Sequence, residues 1–273
     1  MQTLDGLLLI AGRREYPRLV IEAARAAGVP RIEVIAFKHE TDARCLKAVD
    51  RVHWLRFGSM KELLGCIQSS GILNVMMVGQ IAPRNLFSLH FDEAAKAMLS
   101  ALPIRNAHTI FSAVIKEIES VGATVIPAHS FMDQHLPAPG VISARAPTSM
   151  EESDAGLGIR YLRQQSVFDV GQTIVIKAGY IVAVEAMEGT DQTIQRAGRV
   201  GGEGLVVVKM PRIDHDFRFD VPVIGTSTIQ TMKRAGATCL AIESGSTLIF
   251  DRTKVMALAK AAGIAIYATE SLR

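Results

Sequence analysis

Apolar residues in this chain come in short runs, each closed by glycine, proline or charge, and the runs alternate between strand and helix spacing. Leu7–Ala11 is uninterrupted and apolar, as a strand buried on both faces must be. It turns at Gly12-Arg13-Arg14. A helix is expected from about Pro17 to Ala27, with proline suited to the first turn and Gly28 to the stop. Arg31–Phe37 predicts a second strand, Ser59–Gln68 a helix, and Leu73–Val78 a strand that ends at Gly79-Gln80. From about Asn106 to Ser120, Ile110, Val114, Ile118 and Val121 fall on one helical face, and Ala123–Pro127 returns as a strand. Strand–helix repetition of this kind predicts an α/β fold with a doubly wound parallel sheet.

The pattern then breaks. Residues 133–150 hold Pro137, Pro139 and Pro147 among small polar residues, and read as a linker or long crossing loop between an N-terminal domain (1–132) and a second α/β domain (151–273). In the second domain a helix is expected near Ser153–Gln165. Gln172–Lys177 and Tyr180–Ala186 read as strands joined by a hairpin turn at Ala178-Gly179. Gly204–Met210 is a strand and Ser227–Ala235 a helix stopped by Gly236. Thr238–Glu243 and Thr247–Asp251 flank Ser244-Gly245-Ser246, a second hairpin signal. Thr253–Ala262 and Ile264–Ala268 close the chain as helix and strand.

Composition narrows the class. A chain of 273 residues buries enough surface to need no staples, and its three cysteines, without CxxC spacing, read as small core residues of a reducing compartment. A net charge of +3 is too small to argue for nucleic acid. The acidic start Met1–Asp5 lacks the form of a signal peptide, and no run reaches the roughly 18 apolar residues of a membrane span. The seven histidines show neither HxH nor HExxH spacing, which argues against a histidine-built zinc site.

Candidate chemistry lies at strand ends, where open α/β sheets bind ligands. Gly12-Arg13-Arg14 is either an anion site at a helix N-terminus or a tight turn with solvated arginines. Gly79-Gln80 ends a strand of the same sheet and is either a second wall of that crevice or an ordinary loop. Glu185, Glu188 and Asp191 close a strand. Gly189 breaks it, so that Thr190 or Asp191 becomes a helix N-cap; the carboxylates are either caps or ligands. Lys209, Arg212, Asp214, His215, Asp216, Arg218 and Asp220 crowd one segment. A carboxylate among cations stays ionised, which suits a metal ligand, a water-orienting base or a surface ion-pair network.

Three segments carry a resemblance. Asp169-x-Gly171-Gln172, then Val184-Glu185-Ala186-x-Glu188-Gly189-Thr190-Asp191, then Arg218-x-Asp220-x-Pro222-x-Ile224-Gly225 are similar to the signature segments of the UDP-2,3-diacylglucosamine pyrophosphatases of lipid A synthesis. The likeness is specific from about residue 153 onward and looser before it. It implies a Rossmann-like N-terminal domain, a family-specific C-terminal α/β domain, and a lipid-bearing UDP-sugar between them. The implied reaction is magnesium-dependent hydrolysis to UMP and 2,3-diacylglucosamine 1-phosphate (lipid X), with water attacking the sugar-side phosphorus. The family's required aspartate carries over onto Asp220. Asp191 and Glu188 follow as catalytic candidates, with Asp220 and Asp191 as ligands of Mg2+ or another divalent ion. Substrate contacts are expected from Gly12, Arg13, Gly79, Gln80, Asp169, Gln172, Thr190, Lys209, Arg218, Gly225 and Thr226.

The chain departs from the family at several points. Pro83-Arg84 stands for the usual Arg-Pro, Arg105-Asn106-Ala107 for Gly-Asp-Asp, and Arg212-Ile213-Asp214-His215-Asp216 for Lys-Pro-x-Gln-Asp. These changes leave open another nucleotide-sugar diphosphate as substrate, or a non-catalytic nucleotide- or lipid-binding member. A lipid substrate implies a cytoplasmic protein in peripheral contact with the inner membrane, and a homo-oligomer stays open.

Overall fold

The computed structural model describes residues 4–80, 91–168, 170–213 and 215–270. The chain divides into two compact units, Met1–Met132 with Asp216–Asp220, and Asp133–His215 with Val221–Arg273.

The first unit follows the predicted alternation. Its elements run β1 (Leu7–Ala11), α1 (Tyr16–Ala26), β2 (Ile32–Phe37), β3 (Arg51–Leu55), α2 (Met60–Ser70), β4 (Asn74–Val78), α3 (Glu93–Ser100), α4 (Ala107–Ser120) and β5 (Thr124–Val125). All pairings are parallel, in the order β3-β2-β1-β4-β5. That is a Rossmann-type order, with its topological switch between β1 and β4. β1 is buried at every position, as its unbroken apolar run requires. Two elements have no counterpart in the hydrophobic pattern. β3 is an edge strand with a mostly polar or exposed sequence, and α3 buries only Ala95. Neither presents a full apolar stripe. α4 is fixed at its start by a capping box between Asn106 and Thr109, and it buries Ile115 and Ile118.

The second unit adds β6 (Gly140–Val141), α5 (Ser149–Gln165), β7 (Thr173–Lys177), β8 (Tyr180–Val184), α6 (Thr190–Gly201), β9 (Leu205–Lys209), β10 (Val223–Ile224), α7 (Thr226–Ala235), β11 (Ala237–Glu243), β12 (Leu248–Ile249), α8 (Arg252–Ala262) and β13 (Ala265–Thr269). Its main sheet is mixed, in the order β6-β13-β11-β9-β7-β8. β13, β11 and β9 are parallel, and β6, β7 and β8 join antiparallel. Alternation along β9 sends Leu205 and Val207 into a core with α6, α7 and α8, and Val206 and Val208 into a core with α5. The unit is therefore a sheet covered on both faces.

The Ala178-Gly179 hairpin forms as expected. Both residues have positive φ, and their N–H groups donate to the buried Asp154 carboxylate at 2.8 and 2.7 Å. The second expected hairpin does not form. β12 pairs in parallel with β10 instead of folding back on β11. The reason lies in the loop donors. Ser244 N–H goes to Thr269 and Gly245 N–H to Pro137, while Ser246 donates its hydroxyl to Glu243. These bonds aim the chain away from β11. Residues 133–150, expected as a linker, are tied along the second sheet: β6 pairs with β13, and the Ile266 N–H donates to Ser143 Oγ at 2.7 Å. Arg145 grips Glu151 with two bonds at the start of α5.

Candidate functional site

At one end of the second sheet, polar side chains gather where the strand pattern would place apolar ones. β7 begins with Thr173, which pairs with Lys209 at the end of β9. β8 leaves through Glu185, and α6 starts at Thr190. Lys209 Nζ donates to Thr190 Oγ1 at 2.9 Å, and Thr190 donates in turn to Glu185 Oε1 at 3.1 Å. The hydroxyl of Thr173, itself fully buried, lies 3.3 Å from that of Thr190. Glu185 Oε2 is buried without a hydrogen-bond partner among the described residues. Such an atom is costly unless a cation, water or ligand group meets it.

The neighbouring carboxylates have different employment. Glu188 Oε1 accepts from Arg196 at 2.6 Å and from Thr193 at 3.2 Å, and its Oε2 accepts from the Ala186 N–H. The Arg196 bond, helped by those N–H and hydroxyl donors, holds its carboxyl below the usual glutamate range. Glu188 thus closes the loop onto its own helix. The N-cap of α6 is Gly189, not Thr190 or Asp191; Asp191 lies in the first turn and accepts from Ser227 Oγ at 3.0 Å. Ser227 belongs to the first turn of α7, whose N-cap is Gly225 and first residue Thr226. Two helix N-termini and the Lys209 ammonium therefore share one edge. Nearby, Gln172 O accepts from the Met210 N–H, and a Cβ on Gly171 would run into the Glu185 carbonyl. Asp169 lies outside the described residues, as do Pro83, Arg84 and Asp214.

In the first unit the corresponding edge is made of backbone. Gly12 N–H donates to Val78 O, and Arg13 N–H to Gln80 O, both at 2.8 Å. A Cβ on Gly12 would sit 2.6 Å from Gln80 O, and one on Gly79 2.8 Å from Arg13 O. The two glycines serve each other, and the N–H groups of Gly12 and Arg13 are already spent. The Arg13 side chain pairs with the buried Glu40 at 3.1 Å, while Arg14 is exposed. The anion-binding alternative at this turn therefore rests on the exposed Arg14 and the uncapped start of α1 rather than on those two N–H groups.

Asp216–Asp220, kept in the second half by the sequence reading, packs with the first unit. Arg218 chelates Asp216 and reaches Glu119 at 3.1 Å. The Arg218 bonds hold the Asp216 carboxyl below its ordinary range. Ala128 N–H donates to Phe217 O at 2.8 Å. Asp220 is half-buried, and its charge acts on Tyr16, whose hydroxyl donates to Ala128 O at 2.7 Å. Burial first, and Asp220 second, push the Tyr16 phenol well above its usual value. Asp220 and Arg218 thus belong to one unit, and Asp191, Glu188, Thr190 and Lys209 to the other. Among the described residues no group of three or more His, Cys, Asp or Glu is placed to hold a metal ion.

Thr173, Arg196, Ser227, Glu119 and Tyr16 were not among the residues singled out by sequence. Thr173 had one signal, a polar residue opening an apolar strand. The others are ordinary helix residues until their partners are known.

The fold is that of a two-unit α/β protein, and among the described residues no helix is long and apolar enough to cross a membrane. Comparison with known families resolves the class. The LpxI N-terminal domain matches residues 6–135 and the LpxI C-terminal domain residues 138–267. The chain belongs to the LpxI family. A relative from Caulobacter vibrioides, named UDP-2,3-diacylglucosamine pyrophosphatase LpxI, is 26% identical over 218 residues, 76% of this chain and 78% of its own. Among solved structures, the biotin carboxylase subunit of pyruvate carboxylase is similar over 75% of this chain and 44% of that one, at 14% identity and a TM-score of 0.30. That likeness is too slight to bear on function.

Proposed function

We propose that this chain hydrolyses the diphosphate of UDP-2,3-diacylglucosamine to UMP and 2,3-diacylglucosamine 1-phosphate in lipid A biosynthesis. The observation that carries the reading is family membership over both halves, together with the name of the Caulobacter relative. The polar edge of the second unit supports it. A diphosphate needs positive charge and donors fixed in advance. Lys209 supplies the charge, and the N-termini of α6 and α7 supply N–H groups and favourable dipoles. Thr190, held between Lys209 and Glu185, presents its oxygen there. Asp220 orients the attacking water in this reading.

A divalent ion suits the hard carboxylate oxygens of the second unit: Asp191 lies in the first turn of α6, and Glu185 Oε2 is buried without a partner among the described residues, though no three such groups stand together there. Magnesium, when bound, would neutralise phosphate charge. Exposed Val167, Phe168 and Tyr180, with an open apolar groove lined by Tyr161, Phe168, Val170 and Val184, support contact with acyl chains and with the inner membrane from the cytoplasmic side.

The test is product analysis with purified protein, UDP-2,3-diacylglucosamine and Mg2+. Release of UMP is expected, with loss of turnover by more than about a hundredfold in Asp220→Ala, the scale of removing one transition-state contact. Tight binding with no turnover under any divalent metal would replace the enzyme by a binding protein. Preferential turnover of an unacylated UDP-sugar would replace the substrate.

A further inference from the structure

Asp216–Asp220 is covalently flanked on both sides by the second unit yet packs in the first. Five contacts hold it there. The Phe219 ring stacks on Phe111 of α4, with centroids 5.3 Å apart and planes at 18°, and also meets His108 at 5.7 Å. Arg218 bonds Glu119 near the C-terminal end of the same helix. The Phe217 carbonyl accepts from Ala128, and its ring meets His129 edge-on at 5.1 Å. Within the segment, Asp216 O accepts from the N–H groups of Phe219 and Asp220, which tightens it into a single turn.

We propose that Phe219, with Arg218, is a positioning residue: it anchors this turn to α4 and thereby holds the adjacent Asp220 in the first unit, at Tyr16. The anchor lies next to the aspartate in the chain but packs against the apolar cluster of the first unit, with its ring on Phe111 of α4. Phe219 therefore fixes where the Asp220 carboxylate is held without acting as an acid, base or ligand itself. Aromatic stacking gives that anchor a defined geometry rather than mere burial. Loss of the stack leaves the Asp220 end of the turn held through the part-exposed Arg218–Glu119 pair, which holds weakly, while the Phe217 end keeps its bond from Ala128 and its ring contact with His129.

The inference rests on the reading in which Asp220 is required for turnover, so its experiment has two arms. In full-length protein, Phe219→Ala, Phe219→Leu and Glu119→Gln are compared with wild type for kcat and KM, and for amide hydrogen exchange over residues 214–222. Phe219→Ala is expected to lower kcat by about 30-fold with KM within about threefold, the mark of a misplaced catalytic group. Exchange at Phe219 and Asp220 should rise by about tenfold as the turn opens locally. Phe219→Leu should restore part of both, and Glu119→Gln should show a smaller version of both. Unchanged exchange in Phe219→Ala overturns the anchor. Raised exchange with unchanged kcat overturns the positioning role. If wild type turns nothing over, the functional reading fails, and the exchange arm alone decides the anchor. If Phe219→Ala does not fold, Glu119→Gln decides both arms by the same criteria.

Discussion

Each unit has a strand-end edge, at parallel β1 and β4 in the first and at β9 with antiparallel β7 and β8 in the second, and the two are finished differently. In the first unit the chains leaving β1 and β4 press together, glycine against glycine, and exchange backbone hydrogen bonds. In the second, the ends of β7, β8 and β9 are joined by backbone bonds and bridged as well by side chains: Thr173, Glu185, Thr190 and Lys209. A backbone-closed edge has no unmatched group and contributes stability. A side-chain edge keeps a buried carboxylate oxygen unmatched and a cation close by, an arrangement that a ligand completes. A strand-end edge thus serves structure in the first unit, and in the second it is the proposed place of chemistry.

Substitutions at the two edges should separate those roles. The largest effect is expected at the closed edge. Gly79→Ala combines positive φ with a Cβ 2.8 Å from Arg13 O, and should destabilise the first unit by roughly 4 kcal/mol, read as a shift in urea midpoint. A loss under about 1 kcal/mol would mean that the two chains are free to part. At the open edge, Lys209→Ala should lower kcat/KM by about a hundredfold, near 3 kcal/mol, while the urea midpoint barely moves. Equal losses of stability at both edges would erase the contrast.

A smaller effect tests what holds the second unit away from its edge. Burial raises the Glu151 carboxyl, but the Arg145 guanidinium and the Thr148 N–H outweigh it and bring the group from 4.5 down to about 2. A depressed folded value means that its contribution is complete above the unfolded value and fades as pH falls toward the folded one. Glu151→Gln should therefore cost about 2 kcal/mol at pH 7 and almost nothing at pH 2, followed by thermal unfolding across that range. A cost independent of pH would assign the loss to packing of α5 rather than to charge.

Much of this was legible in the residues. Leu7–Ala11 could only be a buried strand, and the Ala178-Gly179 turn was readable because both of its requirements are local. The acids after Val184 marked a strand end, though not which of them would be tied up. Arg196 claims Glu188 from two turns into α6, and Ser227 claims Asp191 from another helix, while among the described residues the buried carboxylate oxygen without a partner is Glu185 Oε2. The false hairpin at Ser244-Gly245-Ser246 had the right turn residues. Its outcome was decided by Thr269 and Pro137, which take the turn's N–H groups from distant parts of the sequence.

The sequence by itself determined the order and kind of most elements, and that the chemistry would lie at strand ends, because hydrophobic period and turn residues act over a few positions. Which strand ends would meet was a tertiary decision. Lys209 with Thr190, and Asp216–Asp220 with the unit at the other end of the sequence, depend on long loops closing and on rings and side chains finding partners far along the chain. Local spacing holds no record of those partners, because the energy that selects them exists only once the core has formed.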